Sequence, residues 1–246
     1  FSKISIILPR NKSPSGWVQS SMNLSEKKVL VIGASGVLGG EITRLLVQRG
    51  ARVFGTARSL ESAERISPQV AQRIVLDLAD DTSIAWALDW IRQNVELDGI
   101  VVASGQVGFG RVADTDPQHL TLLNRVNFEG PAAVISGLLE GLSSRTGSFI
   151  AAITGVVAEK SYPGMAAYSS GKAAFSAWLS GLRLELKSAG VAVLEARPGH
   201  TETGLATRPA FGSAPAFPAG MTPIHVAEVI VSGIESGATV LTSADF

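Results

Sequence analysis

The sequence predicts a doubly wound α/β fold, a single domain whose seven-stranded parallel sheet lies between two layers of helices. Short apolar runs alternate with amphipathic helical stretches along most of the chain, as expected for parallel strands that are covered on both faces. A glycine-rich turn joins the first strand to the first helix, which is typical of nucleotide-binding sheets. No repeat or linker divides the 246 residues, so one domain accounts for the length.

The first half of the chain supplies four of the predicted strands. Residues 29–32 form a continuous apolar run, which suits a strand buried on both faces. The helix that follows, 37–48, has an apolar side and ends before Gly50, a common C-terminal cap. A second helix, 81–94, begins among acidic and hydroxyl residues, which cap helix N-termini. The other predicted strands in this half are 52–56, 74–76 and 98–103.

The second half alternates three helices with three strands. The helices, recognised by apolar residues at helical spacing, are 119–142, 166–188 and 223–235. The strands, recognised by β-branched and apolar runs, are 147–153, 191–196 and 239–241. Alternation of this kind requires right-handed crossovers between parallel strands. The expected result is a three-layer sandwich with the sheet in the middle.

Composition excludes several classes of function. The 21 basic and 21 acidic residues give zero net charge, so nothing indicates nucleic acid or an anionic membrane as a partner. The absence of cysteine excludes a thiol nucleophile and a thiolate-bound metal, and the three histidines are too scattered to predict any metal site. No apolar run reaches the roughly 18 residues of a membrane helix. We expect a cytoplasmic protein acting on a small molecule.

Residues 1–21 are predicted to lie outside the fold. The chain does not begin with methionine, whereas Met22 is followed by a polar stretch that resembles a natural protein start. We interpret 1–21 as an N-terminal extension or an expression remnant, and 22–246 as the folded, nucleotide-binding domain. The alternative is a native arm that docks on a partner.

The turn after the first strand is predicted to hold a dinucleotide. Gly33, Gly36 and Gly39 are spaced G-x-x-G-x-x-G between an apolar strand and an amphipathic helix. Glycines there allow a pyrophosphate to approach the free amides of a helix N-terminus. The predicted phosphate-binding residues are Gly33, Ser35, Gly36, Val37, Leu38 and Gly39. S-adenosylmethionine is a rival ligand for such a loop.

The end of the second strand favours NADP(H) over NAD(H). An acidic residue that binds the ribose hydroxyl of NAD is expected about 20 positions after the glycine motif, but residues 51–60 contain none, and Arg58 stands there. A guanidinium fits a phosphate, and Ser59 adds a hydroxyl. Asp77 and Leu78, after the third strand, are predicted to bracket adenine. The alternative is that Arg58 is only an exposed loop residue.

Tyr168 and Lys172 are the candidate catalytic pair. They are four residues apart in a predicted helix, so both lie on one face. An ammonium near the phenol is expected to lower the pKa of the tyrosine toward neutrality. A tyrosine tuned in this way can donate or accept a proton beside a carbonyl group. The alternative is an ordinary surface pair.

Residues 28–241 resemble the short-chain dehydrogenase/reductase family, whose fold is of the Rossmann type. The features that carry the resemblance are the glycine-rich turn, Asp77, Asn127, Tyr168, Lys172 and Arg197-Pro198-Gly199. The resemblance implies that Lys172 binds the nicotinamide ribose, that Tyr168 protonates the substrate carbonyl, and that Asn127 holds a water of the proton relay. It also implies cofactor contacts from Ser104, Gly105, Pro198, Gly199, Thr201 and Thr203, and assembly as a homodimer or homotetramer.

The sequence departs from the family in three places. Val37 stands where the usual turn has its middle glycine, which resembles the extended branch that includes epimerases. Residues 102–105 replace the usual Asn-Asn-Ala-Gly. The position of the catalytic serine, thirteen residues before Tyr168, is Gly155. We hypothesise that Thr154 replaces this serine, through a bulge at the strand end that turns its hydroxyl inward.

Three functions are compatible with these features. The first is an NADP(H)-dependent carbonyl reductase or alcohol dehydrogenase, with Tyr168 as the general acid/base. The second, motivated by Gly155, is a non-catalytic NADP-binding sensor or scaffold protein. The third is an extended-type epimerase or dehydratase. The predicted substrate region is the loop 203–223, with an apolar pocket and two candidate arginines for an acidic substrate. The pocket residues are Val107, Phe109 and Phe211, and the arginines are Arg111 and Arg208.

Overall fold

The computed structural model describes residues 22–246, so the predicted extension 1–21 lies outside the described residues. Its seven strands form one parallel sheet in the order β3-β2-β1-β4-β5-β6-β7. The strands are β1 (Lys28–Ile32), β2 (Arg52–Ala57), β3 (Gln72–Val75), β4 (Gly99–Val102), β5 (Phe149–Ile153), β6 (Ala192–Ala196) and β7 (Val240–Leu241). The fold class predicted from the sequence is confirmed.

Seven α-helices accompany the sheet. They are α1 (Val37–Gln48), α2 (Leu60–Ala63), α3 (Asp81–Asn94), α4 (Pro117–Asn124), α5 (Gly130–Ser143), α6 (Ala166–Glu185) and α7 (Pro223–Ser236). The short helix α2, which begins at the cap residue Ser59, was not predicted because four residues carry no periodicity. No helix among residues 22–246 is long and apolar enough to cross a membrane.

Alternating side chains of the strands build two cores, one on each face of the sheet. Leu30, Ile100 and Ile150 point to the face covered by α3, α5 and α6. Val29 and Val31 point to the other face, which α1 and α7 cover. All five of these side chains are fully buried. The alternation follows from the period of two along a strand, and burial on both faces explains why the strands are continuously apolar.

The helix predicted over 119–142 is interrupted in the structure. Helix α4 ends at Asn124, Arg125–Glu129 form a π-helical turn, and α5 begins at Gly130. Pro131 explains the interruption, because it has no N–H to donate to the carbonyl four residues earlier, that of Asn127. Such π turns inside helices often occur at functional sites. This one carries the candidate Asn127.

The strand order places a crevice between β1 and β4. Chain connections run outward from β1 in one direction and from β4 in the other. In open parallel sheets, ligands bind at this point of reversal, outside the carboxyl ends of the strands. The turns that follow β1 and β4 both lie there, and so the fold brings the glycine-rich turn to a binding edge.

Candidate active site

The glycine-rich turn lies directly against the end of β4. Gly33 has a φ of +88°, and a Cβ built there would lie 2.8 Å from the backbone nitrogen of Ser104. A Cβ on Gly39 would overlap the carbonyl oxygen of Gly33. The backbone of this turn therefore packs without side chains between it and its neighbours, and only glycine fits at either position.

The features around this turn fit a bound dinucleotide. Helix α1 begins after Gly36 with no side-chain cap and no acidic residue in its first turn, so its free amides and positive dipole end are open to an anion. The hydroxyl of Ser104 is buried and has no hydrogen-bond partner in the described part of the chain. Buried polar atoms without partners are uncommon. A ligand that bridges the two turns would satisfy these donors.

The residues predicted to select the nucleotide follow β2 and β3. Arg58 is exposed, and no ion pair or hydrogen bond of its side chain is found among residues 22–246. The hydroxyl of Ser59 accepts from the amide of Ser62 as the cap of α2. Asp77 accepts from the amide of Ala79, which orders the turn after β3. The guanidinium of Arg58 is thus available to a ligand, whereas the Ser59 hydroxyl and the Asp77 carboxylate form hydrogen bonds within their own turns.

Lys172 is buried under the site. Lys172 lies in the second turn of α6, and only 4% of the residue is exposed. Its Nζ donates to the carbonyl oxygen of Ile153 at 3.0 Å. Burial lowers the pKa of Lys172 to about 8, because the charged form loses its hydration. At neutral pH the amine therefore still carries its proton, but it gives that proton up more readily than an exposed lysine.

Tyr168 packs against an apolar cluster, and its pKa moves opposite to the direction that the sequence suggested. The cluster consists of Val107, Phe109, Val157 and Met165. Burial raises the pKa of Tyr168 to about 12, although we expected the ammonium of Lys172 to lower it. Removal of water from the phenolate accounts for the rise. The phenol is therefore fully protonated at neutral pH.

Asn127 ties the segment after β4 to the π-helical turn. Its Oδ1 accepts from the amide of Gln106 at 3.0 Å, and its Nδ2 donates to the carbonyl of the same residue at 2.8 Å. A Cβ built on Gly105 would lie 3.3 Å from both Asn127 Oδ1 and Lys172 Nζ. These groups therefore converge on Gly105. Because Pro131 cannot donate, the main-chain carbonyl of Asn127 lacks its usual α-helical partner.

Gly155 could not carry a side chain in its present conformation. Its φ is +85° and its ψ is 166°, a region that is essentially restricted to glycine. Space is not the obstacle, because the nearest atom to a Cβ would be the Pro198 carbonyl oxygen at 3.5 Å. The same oxygen accepts from the amide of Val156 at 2.9 Å. The backbone itself thus excludes the family's serine from this turn.

Thr154 faces the neighbouring strand. The residue is 1% exposed, and its hydroxyl donates to Glu195 Oε1 at 2.6 Å. Strand β5 ends at Ile153, and the amides of Thr154 and Gly155 both donate to the carbonyl of Ala196, at 3.0 and 3.3 Å. The irregular strand end does not turn the hydroxyl of Thr154 toward a substrate, because that hydroxyl is bonded to Glu195 on β6. The role of Thr154 as a replacement for the serine remains a prediction.

Two threonine hydroxyls form hydrogen bonds within the turn after β6. Thr201 Oγ1 donates to the carbonyl of Gly199 at 3.1 Å, and Thr203 Oγ1 accepts from the amide of Leu205 at 3.3 Å. Pro198 is buried, while Gly199 and the two threonines are partly exposed. These residues line the same sheet edge as Gly155 and are placed to contact a ligand there.

The apolar cluster around Tyr168 contains residues that sequence reasoning missed. Val107 and Phe109 belong to this cluster, and Phe217 packs against it. The ring of Phe211 lies against the backbone of Gly108 and stacks on His119, with centroids 4.5 Å apart. The pocket lined by Val107, Phe109 and Phe211 stays a prediction. Val157 and Met165 complete the cluster from irregular segments, where no periodicity could have revealed them.

Neither Arg111 nor Arg208 forms an anion-binding site beside the apolar cluster. Arg111 lies 3.9 Å from the carboxylate of Asp114 and is highly exposed. Arg208 is exposed, and its guanidinium donates to the carbonyls of Gly204 and Thr203. Both guanidinium groups thus make their contacts on the protein surface. The surroundings of Tyr168 are apolar and favour an uncharged substrate.

Comparisons with known proteins agree with this geometry. A family model described as short chain dehydrogenase matches residues 27–210. The chain is 24% identical over 238 residues to dehydrogenase/reductase SDR family member 7B of Bos taurus, which covers 89% of this chain and 73% of that protein. It is 32% identical over 184 residues to short-chain dehydrogenase PC-15 of Penicillium crustosum, with 73% and 68% covered.

A solved structure shares the fold. The short chain dehydrogenase from Burkholderia cenocepacia, crystallised in complex with NADP, superposes with a TM-score of 0.79 at 22% identity, covering 90% of this chain and 89% of the other. At this identity the likeness establishes the architecture.

We predict that Lys172→Met stabilises the protein at neutral pH. Burial depresses the pKa of Lys172 from 10.5 to about 8, so the folded state has a cost for the ammonium. After allowance for the lost hydrogen bond, removal of that cost should raise the free energy of unfolding by about 2 kcal/mol. Between the folded and unfolded pKa values only the unfolded state holds the proton, so the wild type gains stability as pH rises. Urea unfolding at neutral pH and near pH 10 should therefore show that the difference in the free energy of unfolding between Lys172→Met and the wild type becomes smaller as the pH rises.

The exposed Lys187 offers a control, because Lys187→Met should change the free energy of unfolding little at either pH. A gain in Lys172→Met that does not depend on pH would contradict the prediction.

We also predict that Gly155→Ala lowers the free energy of unfolding by about 1 to 3 kcal/mol, because alanine is strained at this combination of positive φ and extended ψ. Gly181→Ala is the matched control: Gly181 lies within α6 with nothing near its Cβ position, and alanine there should stabilise the helix by about 0.5 to 1 kcal/mol. Urea titration of both variants measures the contrast, and equal effects would refute the strain argument.

Proposed function

The chain belongs to the short-chain dehydrogenase/reductase family, and from this we propose an NADP(H)-dependent oxidoreductase that transfers a hydride between nicotinamide and a carbonyl or alcohol substrate. The observation that carries the proposal is the placement of a protonated Tyr168 in an apolar cluster, close along α6 to a buried Lys172. Both lie at the sheet edge that the glycine-rich turn also occupies. The carbonyl reductase and alcohol dehydrogenase reactions are the two directions of the same chemistry.

The proposed cofactor residues follow the sheet edge. The turn after β1 and the amides of α1 would hold the pyrophosphate, Arg58 with Ser59 the adenosine phosphate, and Asp77 with Leu78 the adenine. Ser104, Gly105 and Lys172 would contact the nicotinamide ribose, and the turn from Pro198 to Thr203 the nicotinamide amide. When bound, the nicotinamide supplies or accepts the hydride. Arg58, which is exposed and has no side-chain partner among residues 22–246, is what favours NADP(H).

Tyr168 is the proposed general acid/base. In reduction, the phenol donates its proton to the carbonyl oxygen while the carbonyl carbon receives the hydride, which gives the alcohol. A pKa of about 12 keeps the phenol in the donor form at neutral pH. In oxidation the phenolate must form first, and positive charge from Lys172 and an oxidised nicotinamide would lower the pKa toward the working pH.

Lys172 and Asn127 would return the proton to Tyr168. With a pKa of about 8, the ammonium of Lys172 is charged at neutral pH and able to release its proton. The main-chain carbonyl of Asn127, to which Pro131 cannot donate, would accept from a water that connects Lys172 to solvent past Gly105. The role of Asn127 is thus proposed for its backbone, since its side chain is bonded to Gln106.

Gly155 favours a second candidate, a non-catalytic NADP-binding sensor or scaffold, because no hydroxyl at that position can orient a carbonyl. The apolar site that holds Tyr168, Lys172 and Asn127 together makes the enzyme our first proposal. We further propose a cytoplasmic homodimer or homotetramer. Light scattering of the purified protein would test the assembly.

Tyr168→Phe separates the two candidates. The variant keeps the ring and loses the proton donor, so we expect carbonyl reduction to fall by about 10²- to 10⁴-fold. Oxidation of NADPH over a panel of apolar ketones and aldehydes measures the loss. Binding of NADPH, followed by fluorescence, should be unchanged. A variant with full activity would show that the proposed mechanism is wrong, and a wild type that binds NADPH but reduces nothing would favour the sensor.

Arg58→Gln tests the choice of cofactor. Loss of a charge-assisted bond to the phosphate should weaken NADPH binding about 10- to 100-fold and leave NADH binding nearly unchanged. Titration calorimetry with both nucleotides measures this. Arg52→Gln is the control, because Arg52 is also exposed but begins β2 at the opposite edge of the sheet. Equal losses for both nucleotides would contradict phosphate recognition by Arg58.

A further inference from the structure

We propose that Thr154, Glu195 and Arg197 form a positioning device that fixes the contact between Lys172 and the end of β5. This buried network is called the β5–β6 clamp below. The inference rests on the proposed function, because it concerns how the lysine of the same site is held. It assigns Thr154 an indirect role in place of direct contact with the substrate.

The carboxylate of Glu195 is the centre of the clamp. Glu195 lies on β6 and is 0% exposed, a rare position for an acidic residue. Thr154 donates to Oε1 at 2.6 Å. Arg197 donates to Oε1 from Nε at 2.9 Å and to Oε2 from Nη2 at 2.8 Å. Although burial alone would raise the pKa of Glu195, the bonds from Arg197 and Thr154 hold it below the usual value, so the carboxylate is charged.

The clamp reaches both partners of the lysine contact. Thr154 directly follows Ile153, whose carbonyl accepts from Lys172 Nζ at 3.0 Å. On the other side, Arg197 Nη2 donates to the hydroxyl of Ser176 at 3.2 Å, and Ser176 lies one turn beyond Lys172 in α6. The strand that carries the acceptor and the helix that carries the donor are thus both bonded to the clamp.

The clamp also joins the two turns at the catalytic edge. Thr154 precedes the glycine turn at Gly155, and Arg197 precedes Pro198. The carbonyl of Pro198 accepts from the amide of Val156, so the two turns are connected just outside the clamp. The ends of β5 and β6 are therefore fixed relative to each other by side chains as well as by the sheet.

Stability alone is a weak reason for such a network. A buried ion pair loses much hydration, and apolar residues of similar size often stabilise a fold as well or better. Such pairs are better suited to fixing one geometry among several packed alternatives. A second ion pair offers a comparison: Arg145 Nε donates to Asp98 Oδ1 at 3.0 Å, at the opposite edge of the sheet.

Thr154→Val tests the clamp with little change of shape. The variant removes the hydroxyl that bonds Glu195, whereas Thr154→Ser keeps it. Acylation of Lys172 by an amine-reactive ester, quantified by mass spectrometry on the full chain without nucleotide, reports how firmly the amine is held. We expect Thr154→Val to raise the labelling rate of Lys172 about threefold or more, and Thr154→Ser to stay near the wild type. Glu195→Gln should act in the same direction as Thr154→Val and serves if that variant does not fold.

The kinetic readout separates positioning from substrate contact. With a ketone that the wild type reduces, Thr154→Val should lower kcat about tenfold. The Kd for NADPH should rise by less than kcat falls, since only the contact of Lys172 with the nicotinamide ribose is disturbed and the phosphate turn is intact. A loss of kcat without a change in Lys172 labelling would overturn the clamp and support direct contact of Thr154 with the substrate. If Thr154→Val keeps the labelling rate and the kcat of the wild type, both the clamp and direct contact of Thr154 with the substrate are overturned.

Asp98→Asn is the matched control. It removes one charge from the other ion pair of the sheet and should lower the melting temperature without changing Lys172 labelling or kcat. Equal labelling in Asp98→Asn and Thr154→Val would mean general loosening and would overturn the proposal. If the wild type reduces no carbonyl compound, the proposed function fails, whereas the labelling experiment still decides whether the clamp holds Lys172.

Discussion

The hydrogen bond from Lys172 Nζ to the carbonyl of Ile153 connects the longest helix to a central strand, and the arrangement of the site depends on it. A buried ammonium without an acceptor would be costly, so this bond decides where the amine lies. Because α6 begins only a few residues earlier, the same bond also sets the position of Tyr168. The strand order then brings both residues to the edge where the turns after β1 and β4 meet.

Desolvation is the main electrostatic effect at this edge. It raises the pKa of Tyr168 and lowers that of Lys172. The phenol therefore keeps its proton at neutral pH, whereas the ammonium of Lys172 releases a proton more readily than an exposed lysine does. The apolar cluster around Tyr168 that causes this shift would also disfavour a charged substrate. In the proposed enzyme, reactivity and specificity would therefore both result from the exclusion of water.

Most of the fold could be predicted from the sequence, because the central strands β1 and β4 are short apolar runs and the longer helices carry apolar residues at helical spacing. The pairing of Tyr168 with Lys172 also follows from local spacing. The partner of Thr154 could not be predicted in this way, since Glu195 lies 41 residues away, although a carboxylate within an apolar strand was a visible signal. Pro131 likewise signalled an interrupted helix. Phe217 lies in an irregular loop, where only the folded chain shows which ring turns inward.

The conformation of Gly155 also restricts how this sequence can change over evolutionary time. A substitution to serine at Gly155 would restore the family's residue in name, but its backbone would be strained at a φ of +85°. The turn would have to change its backbone conformation before a serine hydroxyl could face the substrate. The hydrogen bond from the amide of Val156 to the carbonyl of Pro198 opposes that change. A lineage with this turn can therefore regain a substrate-orienting hydroxyl more easily from another segment than from Gly155. A single substitution at Gly155 therefore does not restore the function of the serine, because the backbone of the turn must change as well.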